Sequence, residues 1–288
     1  MIGMPGRSYD GPLPPLTGKG RALSLRLRLH VAALAASERN HDLETPARYI
    51  EHALAAQGLR FSTQEFMSGG RSVRNIEAGE GDIVVGAHYD TVPGSPGADD
   101  NASGVAVLIE LARLVSSGVR FVAFANEEAP YYLGPEMGSF VYARDRGAGV
   151  RAMFSLEMLG YYSDKKGSQR YPAPLSLFYP DRADFIAFVG DLGAARLVRK
   201  AIGIFREKAK FPSEGLAAPA FVPGVARSDH WSFRKHGYPA VMITDTAFYR
   251  NPHYHLPSDT PDRLDYERMA RVTLGLAEML DEFADQAR

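Results

Sequence analysis

The chain of 288 residues has no cysteine, no long apolar run and almost no net charge. Without cysteine it forms neither disulfides nor thiol-based sites, so any bound metal ion must have oxygen and nitrogen ligands. No stretch approaches the ~18 consecutive apolar residues that predict a transmembrane helix. A formal net charge of -1 provides no overall attraction to nucleic acid or to an anionic membrane. These absences argue against membrane-spanning and nucleic-acid-binding proteins.

The N-terminus also lacks the apolar core of a secretory signal. Residues 1–20 are instead rich in glycine and proline, and we expect them to form a flexible arm of a cytoplasmic protein. Residues 21–288 have the length of one large domain. Within them, residues 163–225 are predicted to form a lid or a cleft wall, because their proline- and glycine-rich loops separate two polar clusters. No sequence feature indicates an oligomeric state.

Predicted strands alternate with predicted helices along most of the chain. The strands are 59–66, 73–78, 83–85, 121–125, 150–156, 175–179 and 240–244, and the helices are 21–37, 45–58, 102–116, 194–208 and 266–285. This alternation predicts an α/β fold with a mixed, mostly parallel β-sheet sandwiched between helices.

Acidic and histidine side chains come directly after several of the apolar strands, and another histidine lies in a proline-rich loop. Binding sites of open α/β sheets form at such strand ends. Together these side chains can hold two divalent metal ions and leave one carboxylate free beside them. Such a site generates a metal-bound hydroxide that attacks a carbonyl carbon. The set has five carboxylates and two imidazoles: Asp90, Asp100, Glu127, Glu128, Glu157, His88 and His255.

The acidic positions also have plain structural explanations. Asp100 lies at the start of a predicted helix, where a carboxylate can serve as an N-cap. However, Asp99, Asp100 and Asn101 together exceed what one cap needs, and a bidentate Asp100 could bridge two metal ions ~3.5–4 Å apart. Glu127 and Glu128 could be a solvated loop pair, but they follow an apolar strand. One of these two glutamates can bind a metal ion while the other serves as a general base.

The histidines are ambiguous when each is considered alone. His88 at a strand end could make a structural hydrogen bond, whereas a ligand histidine donates its second N–H to a carboxylate such as Asp90. In the loop, His253 competes with His255, and spacing alone does not choose between them. Glu157 would be a costly charge beside a core unless it had a partner.

The order of the motifs resembles that of the zinc-dependent exopeptidases of metallopeptidase family 28. That family includes bacterial leucyl aminopeptidases, the glutamate carboxypeptidases and, as a relative, the animal glutaminyl cyclases. The resemblance covers residue 21 to the C-terminus and implies a zinc-exopeptidase-like fold with a single catalytic domain. It also implies a metal-dependent hydrolase with two divalent metal ions, zinc being the expected metal. The motifs are HYD (88–90), GADDNASG (97–104), NEE (126–128), SLEMLGYY (155–162), SDHWSF (228–233) and PHYHLPSDT (252–260).

The resemblance further implies a role for each residue of the set. Asp100 would bridge the two metal ions and would be followed by a cis peptide bond. Asp90 would orient His88, Glu127 would be the general base and Tyr254 would polarise the scissile carbonyl. Glu128 and His255 would complete the ligands of one metal ion, and His88 and Glu157 those of the other. His255 is preferred over His253 because the family's histidine lies four residues before an Asp-Thr pair, here Asp259-Thr260.

The leading hypothesis is therefore a two-zinc aminopeptidase that acts on peptides or on an amino-acylated small molecule. There are two alternatives. One is a glutaminyl-cyclase-like aminoacyl transferase, which would use one zinc ion, and the other is a non-catalytic binding module on the same fold. The aromatic stretch after Glu128 and the polar motif at 228–230, which could also be a simple helix cap, supply candidate pocket residues. These are Tyr131, Tyr132, Asp229 and His230, and Met158, which follows Glu157, is a further candidate.

Overall fold

The computed structural model describes residues 3–285, in which eight strands form one sheet with helices on both faces. The strands are β1 (Phe61–Ser68), β2 (Arg71–Gly79), β3 (Gly81–His88), β4 (Gly118–Phe124), β5 (Ala152–Glu157), β6 (Ile186–Asp191), β7 (Ser213–Ala218) and β8 (Ala240–Thr244). The helices are α1 (Gly18–Leu34), α2 (Glu44–Ala56), α3 (Gly104–Leu114), α4 (Gly138–Arg146), α5 (Ala195–Lys208), α6 (His230–Lys235) and α7 (Tyr266–Asp285). The α/β fold with a mixed sheet between helices is confirmed.

The sheet has the strand order β1-β2-β4-β3-β5-β8-β6-β7. Its centre is parallel, with β3 paired to β4 and β5, and β5 paired to β8. β1 and β2 add an antiparallel edge beside β4, and β6 pairs antiparallel with β8 before β7 closes the other side in parallel. The carboxyl ends of β4, β3 and β5 therefore meet at one edge of the sheet.

Continuous apolar runs form the central strands because both faces of the sheet are covered. Along β3, Val85 packs into the larger core with α1, α3 and α7, whereas Val84 packs on the opposite face with Tyr142 of α4 and Phe233 of α6. Every residue of β5 and β8 is buried. The rigid centre of the fold thus ends at the strand termini that carry the predicted site.

Most of the predicted elements are present, with small shifts at their ends. The predicted helix 21–37 is α1, which begins at Gly18 where the Thr17 side chain accepts a hydrogen bond from the Gly20 N–H. The predicted strand 240–244 and helix 266–285 match β8 and α7. Among the helices and strands given above, α4, β6 and β7 were not predicted, and α6 was indicated only by the possible helix cap at 228–230.

The predicted strand 175–179 is wrong. Residues Leu175–Leu177 form a single helical turn, and Leu177 is 79% exposed. The turn forms because Leu175 and Leu177 donate their N–H groups to the carbonyls of Pro172 and Pro174. Prolines at these positions also remove the N–H donors that a sheet would need.

The N-terminal segment contacts the far edge of the sheet. The Ser213 N–H of β7 donates to Ser8 Oγ at 2.9 Å, and Arg206 of α5 donates to the Pro5 carbonyl at 3.1 Å. Residues 1–2 of the predicted arm and residues 286–288 of the predicted catalytic domain lie outside the described residues, and the flexibility of the arm stays a prediction. Within residues 3–285, no helix combines the length and the apolar character needed to cross a bilayer.

Candidate metal centre

Three neighbouring parallel strands bring the predicted site residues to the same edge of the sheet. His88 is the last residue of β3 and Glu157 is the last residue of β5. Glu127 and Glu128 follow the end of β4. All four are buried, with exposed fractions of 0% for His88, 4% for Glu127, 6% for Glu128 and 7% for Glu157.

Asp100 enters this cluster from the turn between β3 and α3. The Asp259 carboxylate accepts the N–H groups of Asp99 and Asp100 at 3.0 and 3.1 Å, which fixes the peptides on both sides of Asp99. Gly97 starts the turn with φ of +59°, and a Cβ there would lie 2.2 Å from the Asp100 carbonyl oxygen. The peptide bond between Asp100 and Asn101 is cis, as the resemblance implied.

Asp100 lies between two groups of side chains, each with one histidine and one glutamate. Its Oδ1 is 3.3 Å from His88 Nε2, which is also 3.5 Å from Glu157 Oε2. Its Oδ2 is 3.1 Å from His255 Nε2, which is also 3.3 Å from Glu128 Oε1. The two oxygens of one carboxylate therefore face the two separate groups.

The donor set suits divalent metal ions. Both nitrogens of His88 and Oδ1 of Asp100 are buried without a hydrogen-bond partner among the described residues. Such atoms are costly unless an ion or a proton satisfies them. Ligand atoms of His88, Asp100 and Glu128 lie within 4.8 Å of one another. Carboxylate and imidazole ligands without sulfur fit zinc, and they also fit manganese or cobalt.

The net effect of burial and of the charges of the cluster is to raise the pKa of both glutamates after β4 and of the His88 imidazole. Burial raises the pKa of Glu127 well above its ordinary value, and His88 opposes that rise. Burial and the charge of Asp100 raise the pKa of Glu128 to about 7. Burial tends to lower the pKa of His88, but the surrounding carboxylates raise it well above 6.5. This excess of buried negative charge is what a divalent cation would neutralise.

Asp90 connects the cluster to the loop after β4. Its Oδ1 and Oδ2 accept the N–H groups of Glu127 and Glu128 at 3.0 and 2.9 Å. Oδ1 also lies 3.4 Å from His88 Nδ1. One carboxylate thus holds the backbone of both glutamates and faces the side of the His88 ring that points away from Asp100.

The structure brings His255 to the cluster and leaves His253 outside it. His253 Nδ1 lies 2.9 Å from Ser258 Oγ, on the loop itself. The ring of Tyr254 stacks on the ring of His255 with 3.7 Å between centroids. Burial and the charge of Asp100 raise the pKa of Tyr254, so its hydroxyl keeps its proton.

Two supporting residues were not assigned a role from the sequence. Ser228 Oγ donates to Glu157 Oε2 at 2.7 Å, and only its place in a possible cap was visible. Arg39 is 1% exposed and donates to the main-chain carbonyls of Leu34, Tyr89, Pro96 and Gly97 at 2.7–2.9 Å. It ties the end of α1 to the loop that carries Asp90 and Asp100. No sequence pattern marks a side chain whose partners are distant carbonyls.

The five candidate pocket residues lie in different surroundings. Asp229 is fully buried, and the field of the neighbouring Glu157 adds to burial in raising its pKa to about 7. His230 is 1% exposed, with Nε2 2.8 Å from the Val225 carbonyl. Tyr131 and Tyr132 are half-buried, and Met158 is fully buried under the cluster.

An apolar cavity opens on the cluster at Glu157 and Tyr254. We call it the aromatic cavity, and its walls include Tyr171, Phe185, Met242, Phe248 and Tyr249. Tyr131, Tyr132 and Met158 are not among its lining residues. The cavity joins an apolar surface to a charged, buried cluster, as ligand sites commonly do.

A parallel sheet edge with buried carboxylates around two imidazoles is an arrangement that suits a metal-dependent hydrolase. The profile of peptidase family M28 matches residues 73–280. The chain is 44% identical over 261 residues to the uncharacterized protein YfbL of Escherichia coli, covering 83% of this chain and 80% of the relative. It is also 30% identical over 216 residues to a probable leucine aminopeptidase of Arthroderma benhamiae, covering 68% of this chain and 53% of the relative. The chain belongs to peptidase family M28.

Solved structures agree with this assignment. LapB from Legionella pneumophila has the same fold, with a TM-score of 0.68 and 22% identity over 96% of this chain and 78% of that chain. The zinc aminopeptidase BSAP from Bacillus subtilis has a TM-score of 0.57 and 26% identity over 75% of this chain and 51% of that chain. The chain therefore spans about half the length of the fungal and Bacillus relatives that it matches.

Proposed function

We propose that this protein is an aminopeptidase that uses two divalent metal ions, with zinc as the expected metal. The observation that carries the proposal is the position of Asp100, whose two oxygens face two separate histidine–glutamate groups. In this proposal His88, Glu157 and Asp100 hold one ion, and His255, Glu128 and Asp100 hold the other. The family assignment and the likeness to named aminopeptidases support it.

The bound ions would supply Lewis acidity to the scissile carbonyl and to the attacking water. Glu127 accepts a proton from that water and passes it to the leaving amine, a role that suits a carboxylate beside the site, with Oε2 4.0 Å from His88 Nε2. The Asp90 carboxylate keeps Glu127 in place by accepting the Glu127 N–H. Tyr254 donates its hydroxyl proton in a hydrogen bond to the carbonyl oxygen, where negative charge develops.

The acidic character of the cluster favours a substrate with a free amino group. A protonated or metal-bound amine would lie among carboxylates, whereas an acetylated amine offers no such charge. The side chain of the N-terminal residue would enter the aromatic cavity, which opens beside Glu157 and Tyr254. Residues of the 163–225 segment line this cavity, in keeping with the proposed role of that segment as a cleft wall.

The test is release of amino acids from a library of dipeptides and tripeptides with free or acetylated N-termini, with and without a chelator. We expect release from free termini only, and loss of release with the chelator. Release from acetylated peptides at the same rate would contradict an aminopeptidase. Cyclisation of N-terminal glutamine without release would instead identify an aminoacyl transferase. The predicted cytoplasmic location is tested separately by cell fractionation.

A further inference from the structure

One cation faces the cleft without an anionic partner. Arg227 is exposed and makes no hydrogen bond or ion pair with any residue in the described part of the chain. Its guanidinium carbon lies 5.7 Å from the centroid of the Phe248 ring, which holds the side chain against the cavity wall. The next residue, Ser228, is fully buried and donates a hydrogen bond to the Glu157 carboxylate. The hydrogen bond between Ser228 and Glu157 therefore fixes the chain directly beside Arg227 and links it to the metal centre.

Arg227 stands on the wall between two cavities. It lines the aromatic cavity and also a second cavity of about 490 Å³, a volume in the range of small-molecule sites. Residues 223–225 line both cavities as well, so the two spaces are separated by a single strip of chain. We call the second one the cationic cavity, and its charged lining residues are Arg227, Arg234, Lys235 and Asp191.

The cationic cavity carries net positive charge. Its only carboxylate, Asp191, is paired with Arg234 at 2.8 Å, which leaves Arg227 and Lys235 without a carboxylate partner in the cavity lining. Lys235 lies over the Trp231 ring, with Nζ 5.5 Å from its centroid. His230 adds no charge at neutral pH, because burial lowers its pKa to about 4.

We infer that the cationic cavity is the subsite for a carboxylate on the leaving side of the scissile bond, and that Arg227 determines this specificity. The inference rests on the proposed function. With the N-terminal side chain in the aromatic cavity, the chain continues across the strip that holds Arg227. In a dipeptide the second residue carries the terminal carboxylate, and in a longer peptide an acidic side chain supplies the same group. The planar guanidinium matches either carboxylate with two parallel hydrogen bonds.

The experiment compares kcat/KM for four substrates: Leu-Leu, Leu-Leu-amide, Leu-Glu-amide and Leu-Gln-amide. The first pair differs only in the terminal carboxylate, and the second pair differs only in the side-chain carboxylate. Wild type, Arg227→Gln and Arg227→Lys are compared with Arg60→Gln, which removes the same charge from an exposed position that lines neither cavity. Binding of Leu-Leu and its amide to the Glu127→Gln protein, measured by calorimetry, provides a readout without turnover.

We expect wild type to prefer the acid of at least one pair, and Arg227→Gln to reduce that preference about tenfold. Arg227→Lys should keep part of it, and Arg60→Gln should keep all of it. The pair that shows the effect identifies the source of the carboxylate. Equal cleavage of acid and amide in both pairs by wild type, or an unchanged preference in Arg227→Gln, would overturn the inference alone. No release from any of the four substrates by wild type would overturn the proposed function together with it.

Discussion

The shared position of Asp100 predicts that metal binding stabilises the protein in two separate steps. A site that binds only the folded state adds about 2.7 kcal/mol when the free ion is at 100 times its Kd. For 288 residues the unfolding entropy is about 0.6 kcal/mol/K, so one occupied site raises Tm by about 4–5 °C and two raise it by about 9 °C. His255→Ala removes a ligand from one group, whereas Asp100→Asn weakens both.

The assay is scanning calorimetry of the metal-free protein and of the protein at buffered free zinc. We expect zinc to raise Tm by about 9 °C for wild type, by about half of that for His255→Ala, and by less than about 2 °C for Asp100→Asn. Asp262→Asn is the matched control, because Asp262 lies in the same segment between β8 and α7 as His255 and its carboxylate is largely exposed. It should show the full shift. Equal shifts for Asp100→Asn and His255→Ala would refute the reasoning that one carboxylate serves both ions.

Three further predictions concern single residues. Arg39→Met should lower the free energy of unfolding by about 3–5 kcal/mol, because the buried carbonyls that accept hydrogen bonds from the guanidinium lose their donor. Urea unfolding measures this free energy, and a loss below about 1 kcal/mol would contradict the structural role of Arg39. Tyr254→Phe should lower kcat about 10²-fold with little change in KM, and steady-state kinetics with an unchanged kcat would exclude it as a carbonyl donor. His230 is neutral when folded, since its pKa is about 4 against 6.5 when unfolded. Its contribution of about 3 kcal/mol is therefore present above pH 6.5 and is lost as pH falls toward 4. Unfolding of His230→Gln should show a shallower loss of stability over that range, and identical pH profiles would contradict the assignment.

The central strands could be predicted because burial on both faces requires unbroken apolar runs. β3, β4 and β5 satisfy this requirement and were found, although their ends moved by a few residues. β7 has the sequence SEGLAA, in which glycine, glutamate and alanine have little intrinsic strand preference. It is a strand because it pairs in parallel with β6, a contact between residues far apart in sequence. The apolar residues Leu175, Leu177 and Phe178 led to the opposite error, a predicted strand, because the prolines before them favour a turn.

The site could be predicted as a set of residues but not as a geometry. Charged side chains after buried strands are costly, so His88, Glu127 and Glu157 stood out from the sequence alone. The choice of His255 over His253 needed the resemblance, and the structure brings only His255 to Asp100. The residues that hold the site in place were harder to predict, because Arg39 and Ser228 act through contacts with distant parts of the chain. Sequence spacing carries no information about such contacts.

The most direct measurement of the central claim is turnover and metal content on the same sample of Glu127→Gln. In this account Glu127 moves the proton and holds no metal ion. The variant should therefore retain two metal ions per chain and bind substrate, while kcat falls by about 10²–10⁴-fold. Glu80→Gln, at an exposed position, is the matched control and should keep both properties. Near-full activity in Glu127→Gln, or loss of metal together with activity, would contradict the account.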